Sequence, residues 1–320
     1  MTEIQIGDAV IQPGHRQRIE LPVARLPTQT MITLPIEVIH GETDGPRVWL
    51  SAALHGDELN GVEIIHRVTQ RLKPRSLKGS VIAVPVVNVF GFINSQRALP
   101  DGRDLNRSFP GSPRGSLASR LAYLFMTQIV GQCTHGLDLH TAGGHRVNLP
   151  QVRCNLEDPQ TRRCAEAFRA PIMIHGEAPR GSLRESVAAR GIPIIAYEAG
   201  EPHRFNKDVI AIGVRGVIRV LAKLGMIRNP YKRPTRQPME AASRTWMRAK
   251  RSGLLRLTVK IGEWVYRDQQ VGVIYDAFGS HSAPITSPDA GLIIGHTNHP
   301  LVSEGDAILH IARQVITRRK

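Results

Sequence analysis

The sequence predicts an α/β fold followed by a smaller β-rich part. Upstream, apolar runs rich in β-branched residues alternate with segments whose apolar residues recur at helical spacing. Towards the C-terminus, short apolar runs are separated by glycines instead. With 320 residues, the chain also has the length of two ordinary domains. We therefore expect helices packed on a twisted sheet, joined to a second, all-β part.

The elements of the first part follow from its periodicity. Four apolar runs are predicted to be buried strands: 47–54, 81–87, 136–140 and 192–197. Three segments place their apolar residues on one helical face: 59–72, 117–125 and 210–221. In such a fold the chemistry collects where strands end, so the polar residues that directly follow the strands carry the functional information.

A basic stretch with three prolines separates the two parts. Residues 228–251 hold eight Lys and Arg against a single acid, Glu240, which predicts an extended connector. The predicted domains are therefore 1–235, which holds the candidate site, and 236–320, which holds the linker and the β-rich part. A nucleic-acid-binding patch is the more specific interpretation of this basic run, but no aromatic-rich strand or zinc-finger spacing accompanies it.

Composition excludes several classes of protein. The 42 Lys and Arg exceed the 27 Asp and Glu by 15 charges, which favours anionic partners. The longest apolar run, 81–93, is interrupted by proline and asparagine and is too short to span a membrane. The first ten residues lack the pattern of a secretory signal, and the three cysteines form no close-spaced pair. A cytoplasmic protein is the expectation.

Two predicted strand ends carry candidate metal ligands. His55 and Glu58 form an HxxE pair after the first strand, and both side chains can bind zinc, although so short a motif also occurs by chance. His140 ends another strand and supplies a third ligand. Asp138 lies on the same strand face, where it can accept a proton from the imidazole. Two His and one Glu with an open fourth position are typical of a catalytic zinc site.

The loop 95–111 resembles a binding site for an anion. Among its glycines and prolines it carries four polar residues: Arg97, Arg103, Asn106 and Arg107. Guanidinium groups bind carboxylates through two parallel hydrogen bonds, so the loop suits a carboxylate clamp. A surface loop with solvated arginines is the alternative.

Glu198 ends the strongly apolar strand 192–197. A carboxylate at the mouth of a sheet, beside two histidines and a second carboxylate, can act as the general base for a metal-bound water. We therefore expect Glu198 to lie beside the candidate metal ligands.

Four motifs together resemble the succinylglutamate desuccinylase/aspartoacylase family, a branch of the zinc carboxypeptidase-like hydrolases. They are HGDE at 55–58, RDLNRSFPG at 103–111, DLHTA at 138–142 and EAG at 198–200. The resemblance covers nearly the whole chain. It implies a zinc-carboxypeptidase-like domain, with a mixed, mostly parallel twisted sheet flanked by helices.

The resemblance also implies a role for each motif residue. It implies one zinc ion per chain, held by His55, Glu58 and His140. Glu198 is implied as the general base, and Asn106 and Arg107 as the residues that bind a substrate carboxylate. Arg97 is implied to polarise the scissile carbonyl, with Arg103 as the alternative.

The activity implied is that of a zinc-dependent amidohydrolase, which cleaves the acyl amide of an N-acyl amino acid or related small carboxylate with metal-activated water. We expect a small anionic acylated amino acid as the substrate, a homo-oligomer, and neither a membrane nor a nucleic acid as partner. Two alternatives stay open. One is a metallocarboxypeptidase acting on peptide termini, and the other is a basic nucleic-acid-binding protein on a degenerate hydrolase fold.

The C-terminal part repeats one pattern: a strand, a turn of glycine and an acid, and a second strand. Its turns are Gly262-Glu263 and Gly305-Asp306. The pattern resembles a lipoyl or biotinyl carrier hammerhead, but 276–288 has no lysine, so we expect a structural or oligomerisation domain. Its histidines are expected at the surface or in turns and not as metal ligands: His281, His296, His299 and His310.

Overall fold

A computed structural model describes residues 2–232 and 237–317. The strands are β1 (Ile4–Ile6), β2 (Ala9–Ile11), β3 (Arg16–Arg25), β4 (Met31–His40), β5 (Thr43–Ala52), β6 (Lys78–Val84), β7 (His135–His140), β8 (Arg146–Cys154), β9 (Ile172–His175), β10 (Ile194–Gly200), β11 (Met239–Arg248), β12 (Gly253–Leu257), β13 (Trp264–Val265), β14 (Gln270–Tyr275), β15 (Ser282–Thr286), β16 (Gly291–Thr297), β17 (Leu301–Val302) and β18 (Ala307–Thr317). The α-helices are α1 (Asn60–Thr69), α2 (Val89–Ile93), α3 (Leu117–Gln128), α4 (Pro159–Phe168), α5 (Leu183–Ala188) and α6 (Lys207–Lys223). The four predicted strands are confirmed as β5, β6, β7 and β10, and the three predicted helices as α1, α3 and α6.

Twelve strands form one mixed sheet, in the order β13-β16-β18-β11-β9-β8-β10-β7-β5-β6-β4-β3. Neighbouring strands run parallel in two blocks, β6-β5-β7-β10 and β8-β9-β11, and antiparallel at the remaining pairings of the described chain. The sheet is mixed, as the sequence predicts, but the expectation of a mostly parallel sheet is not confirmed. One reason is that a short turn joins β3 to β4, and strands joined by a tight turn run antiparallel.

Helices cover both faces of the sheet. Leu50 of β5 faces one apolar core, which also contains Phe168 of α4 and Val217 of α6. Trp49, the preceding residue, faces the opposite core, which contains Phe125 of α3. Because successive residues of a strand point to opposite faces, the central strands are buried on both sides. This packing fixes the strand ends on which the candidate site lies.

The prediction of an extended connector over 228–251 is wrong from residue 239 onward. Strand β11 occupies this stretch, pairing in parallel with β9 and antiparallel with β18. Glu240, the acid of the run, binds Arg162 of α4 at 2.8 Å. Composition alone does not indicate this strand, because one of its faces is basic. The other face carries small or apolar residues such as Ala241 and Met247.

The C-terminal strands continue the same sheet. Strand β16 pairs with β18 and also with the first residues of β8, so β8, β9, β11, β18 and β16 close into a ring. An apolar cluster joins strands from both parts of the chain: Ile172, Ile174, Ala241, Leu292, Ile294 and Ala312. The predicted boundary between 1–235 and 236–320 falls among residues 233–236, outside the described residues. The division into two domains stays a prediction.

Four further strands form a second sheet, in the order β15-β14-β12-β17. The two predicted glycine turns are confirmed. Gly262 has a φ of +84° and Gly305 a φ of +90°, a backbone region that glycine tolerates without strain. The acids that come after them, Glu263 and Asp306, each accept a hydrogen bond from the backbone N–H three residues earlier, at 2.9 and 2.8 Å. A lipoyl-like fold for this part stays a prediction.

Candidate metal centre and catalytic cavity

Three candidate metal ligands meet at one edge of the sheet. His55 follows β5 and His140 ends β7, which are parallel neighbours, so both side chains lie at the same strand ends. Glu58 lies just before α1 and bridges them: its Oε1 is 2.7 Å from Nδ1 of His55, and its Oε2 is 3.0 Å from Nδ1 of His140. All three side chains are buried, and one ligand atom from each lies within 4.8 Å of the others. The structure therefore brings the predicted ligands together.

Carboxylates hold the outer nitrogens of both histidines. Oδ2 of Asp138 is 2.6 Å from Nε2 of His140, as the shared strand face predicts, and Ser51 donates a hydrogen bond to the other oxygen of Asp138 at 2.7 Å. Oδ1 of Asp104 is 3.2 Å from Nε2 of His55. With the outer nitrogens held, both Nδ1 atoms point inward, which is how histidine ligands of a metal are usually oriented.

The charges of this cluster fit a cation. Burial lowers the pKa of His140, but the neighbouring Asp138 and Glu58 outweigh it and raise this pKa well above its ordinary value. Burial likewise raises the pKa of Glu58, and the two imidazoles outweigh it and hold the pKa well below the usual range. Three carboxylates, those of Asp104, Asp138 and Glu58, thus surround two imidazoles. A divalent cation between them would balance this negative charge.

Asp104 organises the loop between α2 and α3. Besides His55, it binds Arg97, whose Nη2 lies 2.8 Å from Oδ2, and it accepts a hydrogen bond from the backbone N–H of Asn106 at 2.8 Å. Nη1 of Arg97 lies 3.6 Å from Oε1 of Glu58. Arg103 instead pairs with Asp101 at the surface, at 3.3 Å. Of the two arginines considered, Arg97 is the one placed beside the metal ligands.

Asn106 and Arg107 lie together on a short 3-10 turn after Asp104. Oδ1 of Asn106 accepts a hydrogen bond from the backbone N–H of Leu183, at the start of α5, at 2.9 Å. Arg107 is exposed, and its guanidinium donates to the carbonyl of Asn106. Both side chains line the same cavity as the metal ligands.

Glu198 lies on β10, where strand pairing aligns it with His140 of β7. Its Oε2 accepts a hydrogen bond from Asn148 at 3.1 Å, and its Oε1 accepts one from Arg153 at 3.3 Å. These two bonds orient the Glu198 carboxylate, whose side chain is 17% exposed. The carboxylate lines a cavity of about 650 Å³. The three predicted metal ligands line this cavity as well, and so do Arg97, Asn106 and Arg107. The structure therefore brings every predicted site residue to one place.

The sequence interpretation missed much of the cavity wall. Six Arg, Trp and His residues of this wall are not among the predicted site residues: Arg146, Arg153, Arg184, Arg244, Trp246 and His310. The expectation that His310 lies at the surface or in a turn is wrong, because this side chain is 2% exposed and belongs to β18. Its ring stacks on Trp246, with ring centroids 4.2 Å apart and an interplanar angle of 9°. His281 and His299 are exposed, as expected.

Two further observations bear on the expectations from composition. Cys133, Cys154 and Cys164 are buried and form no disulfide. Among the described residues, no helix combines the length and the apolar character needed to cross a membrane.

Comparisons with known proteins agree on one family. A family model described as the succinylglutamate desuccinylase/aspartoacylase catalytic domain matches residues 44–224. The N-alpha-acetyl-L-2,4-diaminobutyric acid deacetylase of Halomonas elongata is 30% identical over 298 residues, which cover 89% of this chain and 86% of that protein.

Solved structures resemble this fold along most of its length. A succinylglutamate desuccinylase/aspartoacylase from Rhodobacter sphaeroides matches with a TM-score of 0.83 at 29% identity, covering 95% of each chain. The product-bound ectoine utilization protein EutE (DoeB) from Ruegeria pomeroyi matches with a TM-score of 0.84, covering 94% of this chain and 95% of that one. At 21% identity, this second match supports the fold alone.

Proposed function

Because the chain belongs to the succinylglutamate desuccinylase/aspartoacylase family, we propose that it is a zinc-dependent amidohydrolase that removes the acyl group from an N-acyl amino acid. The observation that carries the proposal is the meeting of the His55, Glu58 and His140 cluster with Glu198 and Arg97 in one cavity.

One zinc ion per chain would be held by Nδ1 of His55, Nδ1 of His140 and the carboxylate of Glu58. The donor set supports this assignment, because two imidazoles and one carboxylate suit zinc and leave a fourth position open. Such an ion supplies Lewis-acid chemistry, lowering the pKa of water and polarising a carbonyl.

Glu198 is assigned the role of general base. Because Asn148 and Arg153 hold both of its oxygens, its carboxylate keeps one orientation towards the cavity. There it takes a proton from the attacking water and passes it to the leaving amine. Arg97, held by Asp104, donates hydrogen bonds to the carbonyl oxygen as negative charge develops on it.

Asn106 and Arg107 are assigned the substrate carboxylate. Their position on one short turn at the cavity supports this role, because an amide and a guanidinium together can bind both carboxylate oxygens. The deacetylase of Halomonas elongata acts on an N-acetylated amino acid, which supports the same substrate class here.

The test is a hydrolysis panel with the zinc-loaded protein, using N-acetyl and N-succinyl amino acids and, as a separate arm, short peptides with free C-termini. We expect release of the free amine from acyl amino acids, and one zinc per chain by elemental analysis. His55→Ala should lose both metal and activity, whereas His66→Ala, at an exposed histidine of α1, should keep both. Cleavage of the peptides alone would instead indicate a metallocarboxypeptidase.

A further inference from the structure

Two asparagine side chains join the segment that carries Glu58 to the strand that carries Glu198. Asn60 begins α1, two residues after Glu58, and Asn206 ends the loop between β10 and α6. Nδ2 of Asn60 donates a hydrogen bond to Oδ1 of Asn206 at 2.9 Å. Oδ1 of Asn60 accepts one from the backbone N–H of Asn206, also at 2.9 Å. The two bonds form an asparagine bridge between α1 and the loop that follows β10.

The asparagine bridge also contacts the backbone that directly follows Glu198. Oδ1 of Asn206 accepts a second hydrogen bond, from the backbone N–H of Glu201, at 3.2 Å. Gly200 lies against both side-chain amides, because a Cβ at this position would stand 2.4 Å from Oδ1 of Asn206 and 2.7 Å from Nδ2 of Asn60. The end of β10 therefore packs directly on the bridge, two residues beyond Glu198.

The two sides of the bridge differ in how firmly they are held. Asn60 is 1% exposed, and three further residues of α1 are buried in one apolar core: Ile64, Ile65 and Val68. The loop 201–206 lies at the surface, with three exposed residues: His203, Arg204 and Phe205. Because α1 is fixed in the core, loss of the bridge should loosen the loop and the end of β10 and leave α1 in place.

Asn206 serves the bridge instead of capping its own helix. It directly precedes α6, where asparagine is favoured because its side-chain oxygen can accept a hydrogen bond from a free backbone N–H of the first turn. Such a side-chain cap is present at α3, α4 and α5. At α6 the Asn206 side chain makes no capping bond and binds Asn60 and Glu201. Capping would stabilise the helix, so this use of the side chain indicates a role beyond stability.

We propose that Asn60 and Asn206 are positioning residues for the hydrolysis, which hold the end of β10 so that the Glu198 carboxylate keeps its place relative to Glu58. The inference rests on the proposed function, because it concerns the carboxylate assigned there as the general base. A base must lie within hydrogen-bond reach of its proton, and a displacement of about 1 Å can lower the rate about 100-fold. In the described structure neither asparagine lines the cavity, so the bridge acts through Glu198 and not through contact with the substrate.

Asn206→Ser separates positioning from stability. Serine can cap α6, but its side chain is too short to reach Asn60, so the variant gains a capping bond and loses the bridge. With the N-acetyl amino acid that wild type cleaves fastest, we expect kcat to fall about 10- to 100-fold. KM should change less than about threefold, because the substrate carboxylate is assigned to Asn106 and Arg107 on another loop. Zinc content should be unchanged, and the Tm should equal or exceed that of wild type. A purely structural role would leave kcat at the wild-type value.

Asn206→Asp is the matched control, because a carboxylate keeps the oxygen that accepts from Asn60 and from the N–H of Glu201. Its kcat should stay within about threefold of wild type, since the bridge is retained. Asn60→Ala should lower kcat as Asn206→Ser does. The double variant should lose no more than either single variant, because the two side chains act as one unit. Losses that multiply in the double variant would overturn the bridge.

Hydrogen exchange separates this inference from the proposed function, because it requires no turnover. In the full-length protein, the backbone amides of 199–206 should exchange at least about tenfold faster in Asn206→Ser than in wild type or Asn206→Asp. If wild type cleaves no acyl amino acid but this difference persists, the bridge still holds the strand end that carries Glu198, and the proposed hydrolysis alone fails. Unchanged exchange, or a wild-type kcat in Asn206→Ser, would overturn the inference and leave the proposed function intact.

Discussion

Glu198 receives hydrogen bonds on both oxygens, so its chemistry can be separated from its packing. Glu198→Gln is nearly isosteric but cannot accept a proton at neutral pH. We expect turnover to fall by about 10² to 10⁴, the usual contribution of a general base, with metal content unchanged. Steady-state kinetics and elemental analysis measure the two effects. Glu201→Gln, a nearby acid outside the cavity, should keep full activity, and a fully active Glu198→Gln would move the base to another residue.

His310 should make the stability of the chain depend on pH. Its pKa is near 6.5 when unfolded and about 2 when folded, so the unfolded chain binds the proton more readily between these values. The contribution to stability is therefore complete above pH 6.5 and is lost progressively as the pH falls below it. One such group changes the free energy of unfolding by up to about 1.4 kcal/mol per pH unit.

The measurement is denaturant unfolding of wild type and His310→Phe between pH 7 and pH 4. We expect a shallower pH dependence in the variant, whatever its stability at pH 7. Equal pH dependence in the two proteins would mean that the protonated imidazole of His310 has a hydrogen-bond acceptor in the folded state.

At the scale of residues, the sequence revealed the polar groups at strand ends and missed those that reach the cavity from distant strands. His55, His140 and Glu198 each stand at the end of an apolar run, so parallel pairing alone predicts that they meet. Arg244 and His310 have no such signal, because each reaches the cavity through the pairing of β11 and β18 with strands far away in the sequence.

Among the elements, the loop between α2 and α3 depends most on one side chain. Asp104 holds His55, Arg97 and the start of the 3-10 turn at the same time. Asp104→Asn keeps the shape and removes the charge, so we expect metal affinity to fall about 10- to 100-fold, as for other residues that orient a ligand. Competition with a zinc chelator measures this loss. Asp101→Asn, in the same loop but bound to Arg103 at the surface, should leave the affinity unchanged.

Strand β11 shows where secondary structure cannot be predicted from composition. Its basic residues and nearby prolines indicate a solvated connector, and charge is normally a reliable sign of exposure. Here the charged face borders a polar cavity, and the other face packs in the sheet through Ala241 and Met247. Such a strand differs from a linker only in its partners, β9 and β18, which no local pattern predicts.

For the molecule as a whole, the shared sheet predicts the effect of truncation. A chain ending at residue 232 would expose the edge of β9 and two buried residues, Ile172 and Ile174. Exposing two isoleucines costs about 3 to 6 kcal/mol. In a chain of this size, that lowers the Tm by about 10 °C or more.

Calorimetry of the truncated and full-length proteins measures this shift. The full chain carrying Arg228→Gln, in the basic stretch before β11, is the control and should keep its Tm. An unchanged Tm in the truncated chain would support the predicted division at 235.

The ring formed by β8, β9, β11, β18 and β16 positions the residues of one cavity wall. It therefore limits which changes can alter the substrate range of this enzyme. The positions of Arg244 and His310 depend on strand register, and a shift by one residue would turn both away from the cavity. The length of the segment between α6 and β11 does not enter this register, so insertions there should leave specificity intact. Laboratory evolution towards new acyl amino acids should therefore select substitutions at 244, 246 and 310 before it selects remodelled loops.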